Sequence, residues 1–131
     1  MRRGTDFAYS AVEYLEALRW RGPALAAHLA AIDGIDVVIA PASSAAAPTI
    51  DETDVGGGPG AEGAIQAITR FMRPINYLGL PVLEIPAGQS RHGLPIGLQL
   101  IGRPFGDETA IALGRAFQTA TSHHRRIPDF P

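Results

Sequence analysis

The chain has 131 residues, of which 46% are hydrophobic and 18% charged, with a formal net charge of −2 at pH 7. This composition predicts one globular domain rather than a disordered chain. The charges form no block of either sign, which argues against a nucleic-acid partner or an anionic membrane surface. The absence of cysteine excludes disulfides, thiolate metal sites and thiol nucleophiles.

Two further absences bear on location. The first residues carry Asp6 and Glu13 where a signal peptide would have an apolar stretch. Nowhere does an apolar run reach the length of a membrane span. We therefore expect a cytoplasmic protein with no membrane partner.

The first quarter of the chain has apolar residues at helical spacing. An amphipathic helix is predicted over residues 6–18, ended by the breakers Gly22 and Pro23. A second helix is predicted over residues 24–32, with Gly34 as a left-handed cap. The stripe that the first helix is expected to bury consists of Phe7, Val12, Leu15 and Leu18.

The middle of the chain begins with a short β-branched run, DVVIA at residues 36–40, which predicts a strand covered on both faces and ended by Pro41. Residues 42–60 have neither helical nor strand periodicity and are predicted to form one long loop. A helix is then predicted over residues 61–72, with four apolar residues facing inward: Ile65, Ile68, Phe71 and Met72.

The last part of the chain predicts a β-hairpin followed by a helix. Its strands span residues 82–85, closed by Pro86 and Gly88, and residues 96–101. The helix is expected from Asp107 to Thr121, where the acidic start favours the positive end of the helix dipole. Its predicted packing face is Ile111, Leu113, Ala116, Phe117 and Ala120, and residues 122–131 are expected to form a loose tail.

Together these elements predict a single domain over residues 1–131, part of an α/β sandwich in which a short mixed sheet of about three strands is packed by helices. Three motifs point further: DVVIAPASSAAAP, PINYLGLPVLEIPAG and GLPIGLQLIGRPFGDE. In this order and spacing, they resemble the carboxyl-terminal core of the amidase signature family, whose members hydrolyse carboxamides. The resemblance extends from Tyr14 to Pro128.

The resemblance implies a chemistry whose catalytic groups this chain lacks. In the family, a lysine, a serine in a cis peptide and a nucleophilic serine lie upstream of the matched part. All 11 basic residues here are arginine, and arginine stays protonated and cannot act as the base. We therefore expect no catalytic residue in this chain, no metal or organic cofactor, and inactivity of the chain alone.

Three residues are candidates for the substrate pocket. Asn76 matches the family's asparagine, and its amide either caps a turn or lines the acyl pocket. Met72 stands where the family usually has a small hydroxyl residue, and Glu84 stands where it usually has Ser or Thr. A carboxylate in a central strand is costly unless it is paired or exposed, so Glu84 implies an edge strand or an arginine partner, Arg73 or Arg103.

Other residues favour structural roles. Gln99, if buried, is expected to bond its amide to the backbone rather than to a ligand. Gly97 is expected to allow a close approach of backbone or of a neighbouring helix. The four histidines do not have metal-site spacing, and Ser43 and Ser44 have no predictable base nearby. GGGPG at residues 56–60 lacks the lysine of a phosphate-binding loop.

Several functions remain open. The chain is predicted to be the carboxyl-terminal portion of an amidase-family hydrolase, with a small-molecule amide as substrate of the complete enzyme. A fragment of a glutamyl-tRNA amidotransferase A-type subunit is an alternative, disfavoured because Thr69 stands near the place of an expected aspartate. Another is a non-catalytic remnant that acts as an interaction module and self-associates through an exposed sheet edge. A truncated reading frame is a further explanation.

Overall fold

The computed structural model describes residues 9–53 and 60–127, without the side chains of residues 53, 60–62 and 64. The predicted helix start at residues 6–8, the acidic and glycine-rich stretch at residues 54–59 and the tail at residues 128–131 lie outside the described residues.

The described part is built on a three-stranded sheet. Strand β1 is Val37–Pro41, β2 is Val82–Gln89 and β3 is Pro95–Gly102, in the order β1-β3-β2. Both pairings are antiparallel, so the predicted α/β sandwich with three strands is confirmed, whereas the sheet is antiparallel rather than mixed. The central position of β3 leaves β1 and β2 as the outer strands.

The hairpin strands are longer than the sequence predicts. The closing residues Pro86 and Gly88 both lie inside β2, and a bulge separates them. Proline cannot donate to a ladder and is therefore tolerated at bulges and on outer strands. The predicted end of the strand at Pro86 is thus wrong because β2 lies at the side of the sheet.

Helix α1, Ala11–Ala31, runs without interruption through Pro23, so the predicted break into two helices is wrong. A proline removes one backbone hydrogen bond, and both ends of α1 are held independently. Ser10 and Glu13 form a reciprocal capping box at its start. Beyond its end, Arg103 donates to the carbonyls of Ile32 and Ile35, each over 3.2 Å. The predicted left-handed glycine, Gly34, is confirmed with a φ of 73°.

The apolar stripe predicted for the start of α1 is not buried. Val12, Leu15 and Leu18 are all exposed. In the described chain, the apolar residues of α1 that pack against the buried cluster are Ala24 and Leu25, in the later part of the helix. Periodicity correctly indicated the helix, but the prediction of what covers it was wrong.

Three short helices follow β1. Helix α2, Ile50–Thr53, is a single turn inside the predicted loop. Helix α3 is Gly60–Thr69, and α4 is Met72–Leu78. The predicted helix over residues 61–72 therefore stops early, and α4 was not predicted, because Pro74 reads as a breaker although it fits a first turn.

Burial in this segment follows the two helices. Ile68, Phe71 and Met72 are half-buried, as predicted. Ile65 is 40% exposed, so its predicted inward orientation is wrong. Helix α4 instead buries Ile75 and Leu78.

Helix α5, Asp107–Ala120, has the predicted start and ends one residue before the predicted Thr121. Of its predicted packing face, Phe117 is confirmed, since it packs against the buried cluster of the sheet. Ile111 and Leu113 are exposed instead, and the buried residues of the helix are Ala110 and Gly114. The helix lies so close to the sheet that a Cβ at Gly114 would be 2.5 Å from Cδ2 of Leu83. A helix that lies this close to a sheet needs small residues at the contact. A search for periodic large apolar residues does not find them.

Two clusters of buried residues cover the two faces of the sheet. One joins α1 and α4 to β3 through Ile75, Leu78, Leu80 and Ile101. The other joins α5 to β2 and β3 through Ile85, Leu100 and Ala110. Strand β1 is covered only in part: Val37 and Val38 pack against these clusters, whereas Ile39 is 58% exposed.

The segment after α5 is held against the body. Residues His123–Arg125 form a 3-10 turn next to β2. The ring of His123 stacks on Phe117 at a centroid distance of 6.3 Å, and Arg126 donates to the side chain of Gln89 over 2.7 Å. The prediction of a loose tail is therefore wrong for this part.

Candidate functional site

A cavity of about 280 Å³ lies between the segment that follows β1, helices α3 and α4, and the strands β2 and β3. Among the residues that the structure describes, its lining is mostly small or apolar, with one carboxylate. The lining residues are Ala42, Ser43, residues 45–48, Ile68, Met72, Glu84 and residues 95–97.

Hydrogen bonds from both sides fix the segment that forms one wall of the cavity. The side-chain amide of Gln99 donates to the carbonyl of Pro41 over 2.8 Å. The backbone N–H of Ala42 donates to the carbonyl of Gly97 over 3.0 Å, and the hydroxyl of Ser44 donates to the carbonyl of Ala67 over 2.7 Å. Because Gln99 is 2% exposed and bonds to the backbone, its predicted structural role is confirmed.

Glu84 places its carboxylate at the cavity wall. It lies opposite Gln99 on the outer strand β2, and its side chain is exposed rather than buried. The edge-strand explanation for Glu84 is thus confirmed. Of the two predicted arginine partners, Arg103 holds the end of α1, and in residues 9–53 and 60–127 no ion pair joins Glu84 to Arg73.

Gly97 makes room for this carboxylate. A Cβ at Gly97 would lie 2.6 Å from Oε1 of Glu84 and 3.1 Å from Cβ of Ala42. The predicted close approach at Gly97 is therefore confirmed, but the approaching groups are two side chains rather than backbone or a helix.

The two other candidates lie on α4 at different distances from the cavity. Met72 is the first residue of the helix, half-buried, and lines the cavity beside Ile68. Asn76 lies one turn later on an exposed position and is not part of the cavity wall. It lies inside α4, where its backbone carbonyl accepts from the N–H of Gly79 over 3.2 Å.

The described residues around the cavity are suited to binding rather than to nucleophile activation. Ser44 donates to backbone, and the hydroxyl of Ser43 accepts from the N–H of Ala45 over 3.4 Å. Within the described ranges, neither serine is bonded to a His, Asp or Glu side chain. The same residues hold no group of three potential metal ligands and no helix long and apolar enough to cross a membrane.

Comparison with known proteins places this geometry in a family. The Amidase family model matches residues 2–111, which include every residue of the cavity wall. The chain belongs to the amidase family. A fatty acid amide hydrolase from Oryza sativa subsp. japonica is 31% identical over 121 residues, which are 92% of this chain and 20% of that protein.

A second group of amidase relatives is similar over a shorter stretch. The A-type component of the glutamyl-tRNA(Gln) amidotransferase from Roseiflexus sp. is 53% identical over 58 residues, covering 44% of this chain and 12% of the relative. Both groups of relatives are amidase-family proteins. In both, the matched part is a small fraction of the relative's length.

Solved amidase structures share the fold. A crystal structure of an amidase superimposes with a TM-score of 0.72 at 28% identity, covering 86% of this chain and 26% of that protein. The corresponding A-type component of the Thermotoga maritima glutamyl-tRNA(Gln) amidotransferase gives a TM-score of 0.71 at 26% identity, covering 84% and 23%. This amidase chain thus spans about a fifth of the length of the curated relatives it matches over most of its own length.

Sequence reasoning found part of the cavity and missed the rest. Met72 and Glu84 were singled out as departures from the family pattern. Ile68 and the alanines of residues 45–47 were not, because small apolar residues have no chemical signature. The length of the segment after β1 was the one available signal that this segment has a role beyond connecting elements.

Proposed function

We propose that this chain forms the scaffold and one wall of the substrate cavity in an amidase-family hydrolase that cleaves the carbon–nitrogen bond of a small carboxamide. The single observation that carries the proposal is a formed cavity within the family-matched region. The catalytic lysine and serines would belong to a part of the enzyme outside these 131 residues, and the complete protein would be cytoplasmic.

The reaction expected from the family resemblance proceeds through an acyl-enzyme. A serine hydroxyl attacks the carboxamide carbon, its proton passes through the base to the leaving nitrogen, and ammonia or an amine departs. Water then adds to the acyl ester, releasing the carboxylic acid and regenerating the serine. Because this chain contains arginine but no lysine, we expect no turnover from it alone, and the reaction needs no metal or organic cofactor.

The cavity wall favours an apolar substrate group near Met72. The thioether is flexible and polarisable, so it adapts to irregular apolar partners, and Ile68 extends the same surface. The relatives that match nearly the whole chain are named fatty acid amide hydrolases, which supports an apolar acyl group. Asn76, exposed on α4, would contribute only if the remaining part of the enzyme extends the pocket to it.

The amidotransferase alternative is supported by the higher identity over 58 residues. It is weakened at Thr69, where the resemblance would require an acidic residue to hold the glutamine amine. The hydroxyl of Thr69 donates to the carbonyl of Ile65 over 2.7 Å, a bond within α3. We therefore rank hydrolysis of simple amides first.

A non-catalytic interaction module is supported by the exposed apolar surface. Val12, Leu15 and Trp20 project from α1, and Ile39 lies exposed on the outer strand β1. Such surface, next to an outer strand, favours association with another chain or another copy. Sedimentation velocity tests this: a concentration-dependent dimer supports the module, and a monomer at all concentrations rejects self-association.

The proposed function is tested by adding an amidase-family segment that carries the lysine and both serines. Ammonia release is measured from hexanamide and from glutamine with the combined proteins. We expect hexanamide to be cleaved in preference to glutamine, and Met72→Ala to raise KM for hexanamide more than it lowers kcat. Preference for glutamine would support the amidotransferase alternative, and a folded complex that cleaves neither amide would reject both.

A further inference from the structure

We propose that Glu84 makes the cavity a subsite for a primary ammonium group carried on a short apolar stem. This subsite deepens the proposed function. Only the identity of the substrate rests on that function: in an amide hydrolase, the subsite would select an amide that also bears an amine. The binding property itself belongs to the described residues.

The first support is the unpaired state of the carboxylate. Within residues 9–53 and 60–127, the side chain of Glu84 has neither an ion pair nor a hydrogen bond. Arg73, on the same helix as Met72, lies in a separate groove with Arg70 and Gln66 and does not line the cavity. Among the described residues of the cavity wall, Glu84 is the one with a charged side chain, so a cation meets no competing positive charge from these residues.

The second support is the position of the carboxylate over the space that Gly97 leaves open. Its Oε1 lies so close to Gly97 that a Cβ at this residue would be only 2.6 Å away. Strand pairing fixes the backbone of Glu84 against Gln99, and Gln99 is itself bonded to Pro41. Because the backbone of Glu84 is fixed before binding, pairing with a ligand orders only the side-chain torsions.

The third support is the contrast between this charge and its surroundings. Ala42, Met72 and Ile96 offer apolar surface to the stem of a ligand. A site that combines an apolar wall with a single charged group orients a ligand of matching polarity. Ser43 adds a hydroxyl that can accept a second N–H of an ammonium. The volume of about 280 Å³ suits a small ligand or one end of a larger one.

The test is a binding titration of the full chain followed by NMR at the Met72 methyl group and the Gly97 amide. n-Butylammonium is compared with n-butanol, which has a similar shape and no charge. We expect saturable shifts with butylammonium, about tenfold tighter than with butanol, a ratio that corresponds to about 1.4 kcal/mol. The preference should shrink at high salt, since ionic attraction is screened.

Two variants sharpen the titration. Glu84→Gln keeps the size of the side chain and removes its charge, and it should weaken butylammonium binding about tenfold while leaving butanol unchanged. Glu16→Gln removes an exposed carboxylate on α1 and should change neither. Equal binding of the two ligands, no saturable shift, or an unchanged affinity in a folded Glu84→Gln variant would overturn the proposal.

Failure of the inference can be told from failure of the proposed function. In the combined enzyme, pentanamide and 5-aminopentanamide are compared with and without Glu84→Gln. Hydrolysis of both amides with no selective rise of KM for the aminated one rejects the ammonium subsite and leaves the hydrolase intact. Hydrolysis of neither, with butylammonium still bound through Glu84, retains the subsite and rejects the hydrolase.

Discussion

The side-chain amide of Gln99 in the central strand donates to the backbone carbonyl of Pro41 over 2.8 Å, where β1 ends and the cavity wall begins. Gln99 is 2% exposed, so water does not compete for this bond. The bond therefore couples the sheet to the wall of the candidate site, and its removal should affect stability more than removal of a surface amide.

Replacing Gln99 with leucine leaves the Pro41 carbonyl without its donor in a buried position. We expect Gln99→Leu to lower the free energy of unfolding by about 1–3 kcal/mol, measured by urea denaturation. Gln66→Leu is the control, since Gln66 is exposed on α3 and its replacement should change stability by no more than about 0.5 kcal/mol. Equal stabilities of the two variants would contradict the structural role of Gln99.

The contact between Gly97 and Glu84 predicts coupled substitutions. Gly97→Ala forces the Glu84 carboxylate away, since the new Cβ would lie 2.6 Å from Oε1. In a Glu84→Ser background this conflict is absent, and the cost of Gly97→Ala should fall by at least about 0.5 kcal/mol. Urea denaturation of the parent chain, the two single variants and the double variant measures this difference. Additive changes in the free energy of unfolding would show that residues 84 and 97 are not in contact.

A third prediction concerns the end of α4. Gly79 has a φ of 73°, a left-handed conformation that costs a non-glycine residue about 1–2 kcal/mol. Gly79→Ala should therefore destabilise the chain by this amount in thermal or urea unfolding. Gly22→Ala is matched in chemistry but lies inside α1 with free space around it, and it should stabilise by up to about 1 kcal/mol. Effects of the same sign at both positions would contradict the backbone assignment.

The fourth prediction is a pH dependence at the start of α1. The backbone N–H and hydroxyl of Ser10 donate to the Glu13 carboxylate and lower the pKa of that residue. Because the folded-state pKa lies below the unfolded one, the stabilisation is complete above the ordinary glutamate pKa of about 4.3. It is lost as the pH falls through the folded-state value.

NMR titration of the side-chain carboxyl carbons tests this assignment with crossed controls. Thr49 lowers the pKa of Glu52 by the same kind of contact. Ser10→Ala should raise the pKa of Glu13 and leave Glu52 unchanged, whereas Thr49→Ala should do the reverse. A Glu13 pKa that stays unchanged in Ser10→Ala would show that the hydroxyl of Ser10 does not donate to this carboxylate, since the backbone N–H remains.

The sequence predicted the elements whose signals are local. The hairpin of β2 and β3, the start of α5 and the left-handed Gly34 follow from turn residues, alternation and helix-dipole preference. The backbone bond of Gln99 was also predictable, because a buried amide in a strand must find a partner.

The sequence predictions were wrong where tertiary contacts determine the local structure. Pro23 reads as a helix breaker, yet α1 continues through it. Gly114 reads as a weak helix residue, yet it forms the contact face of α5 because the sheet lies too close for a side chain. The grouping of Met72 with Glu84 in one cavity depends on the turn between α3 and α4, which periodicity does not locate. Residues 61–72 accordingly gave one predicted helix where two exist.

The most direct test of this account is ammonia release from hexanamide by three preparations: this chain alone, an amidase-family segment carrying the lysine and both serines, and the two combined. The account predicts release by the combination and none by either part alone, with reduced activity when the cavity wall is altered by Met72→Ala. Hydrolysis by this chain alone, or silence of a stable and folded complex, would contradict it.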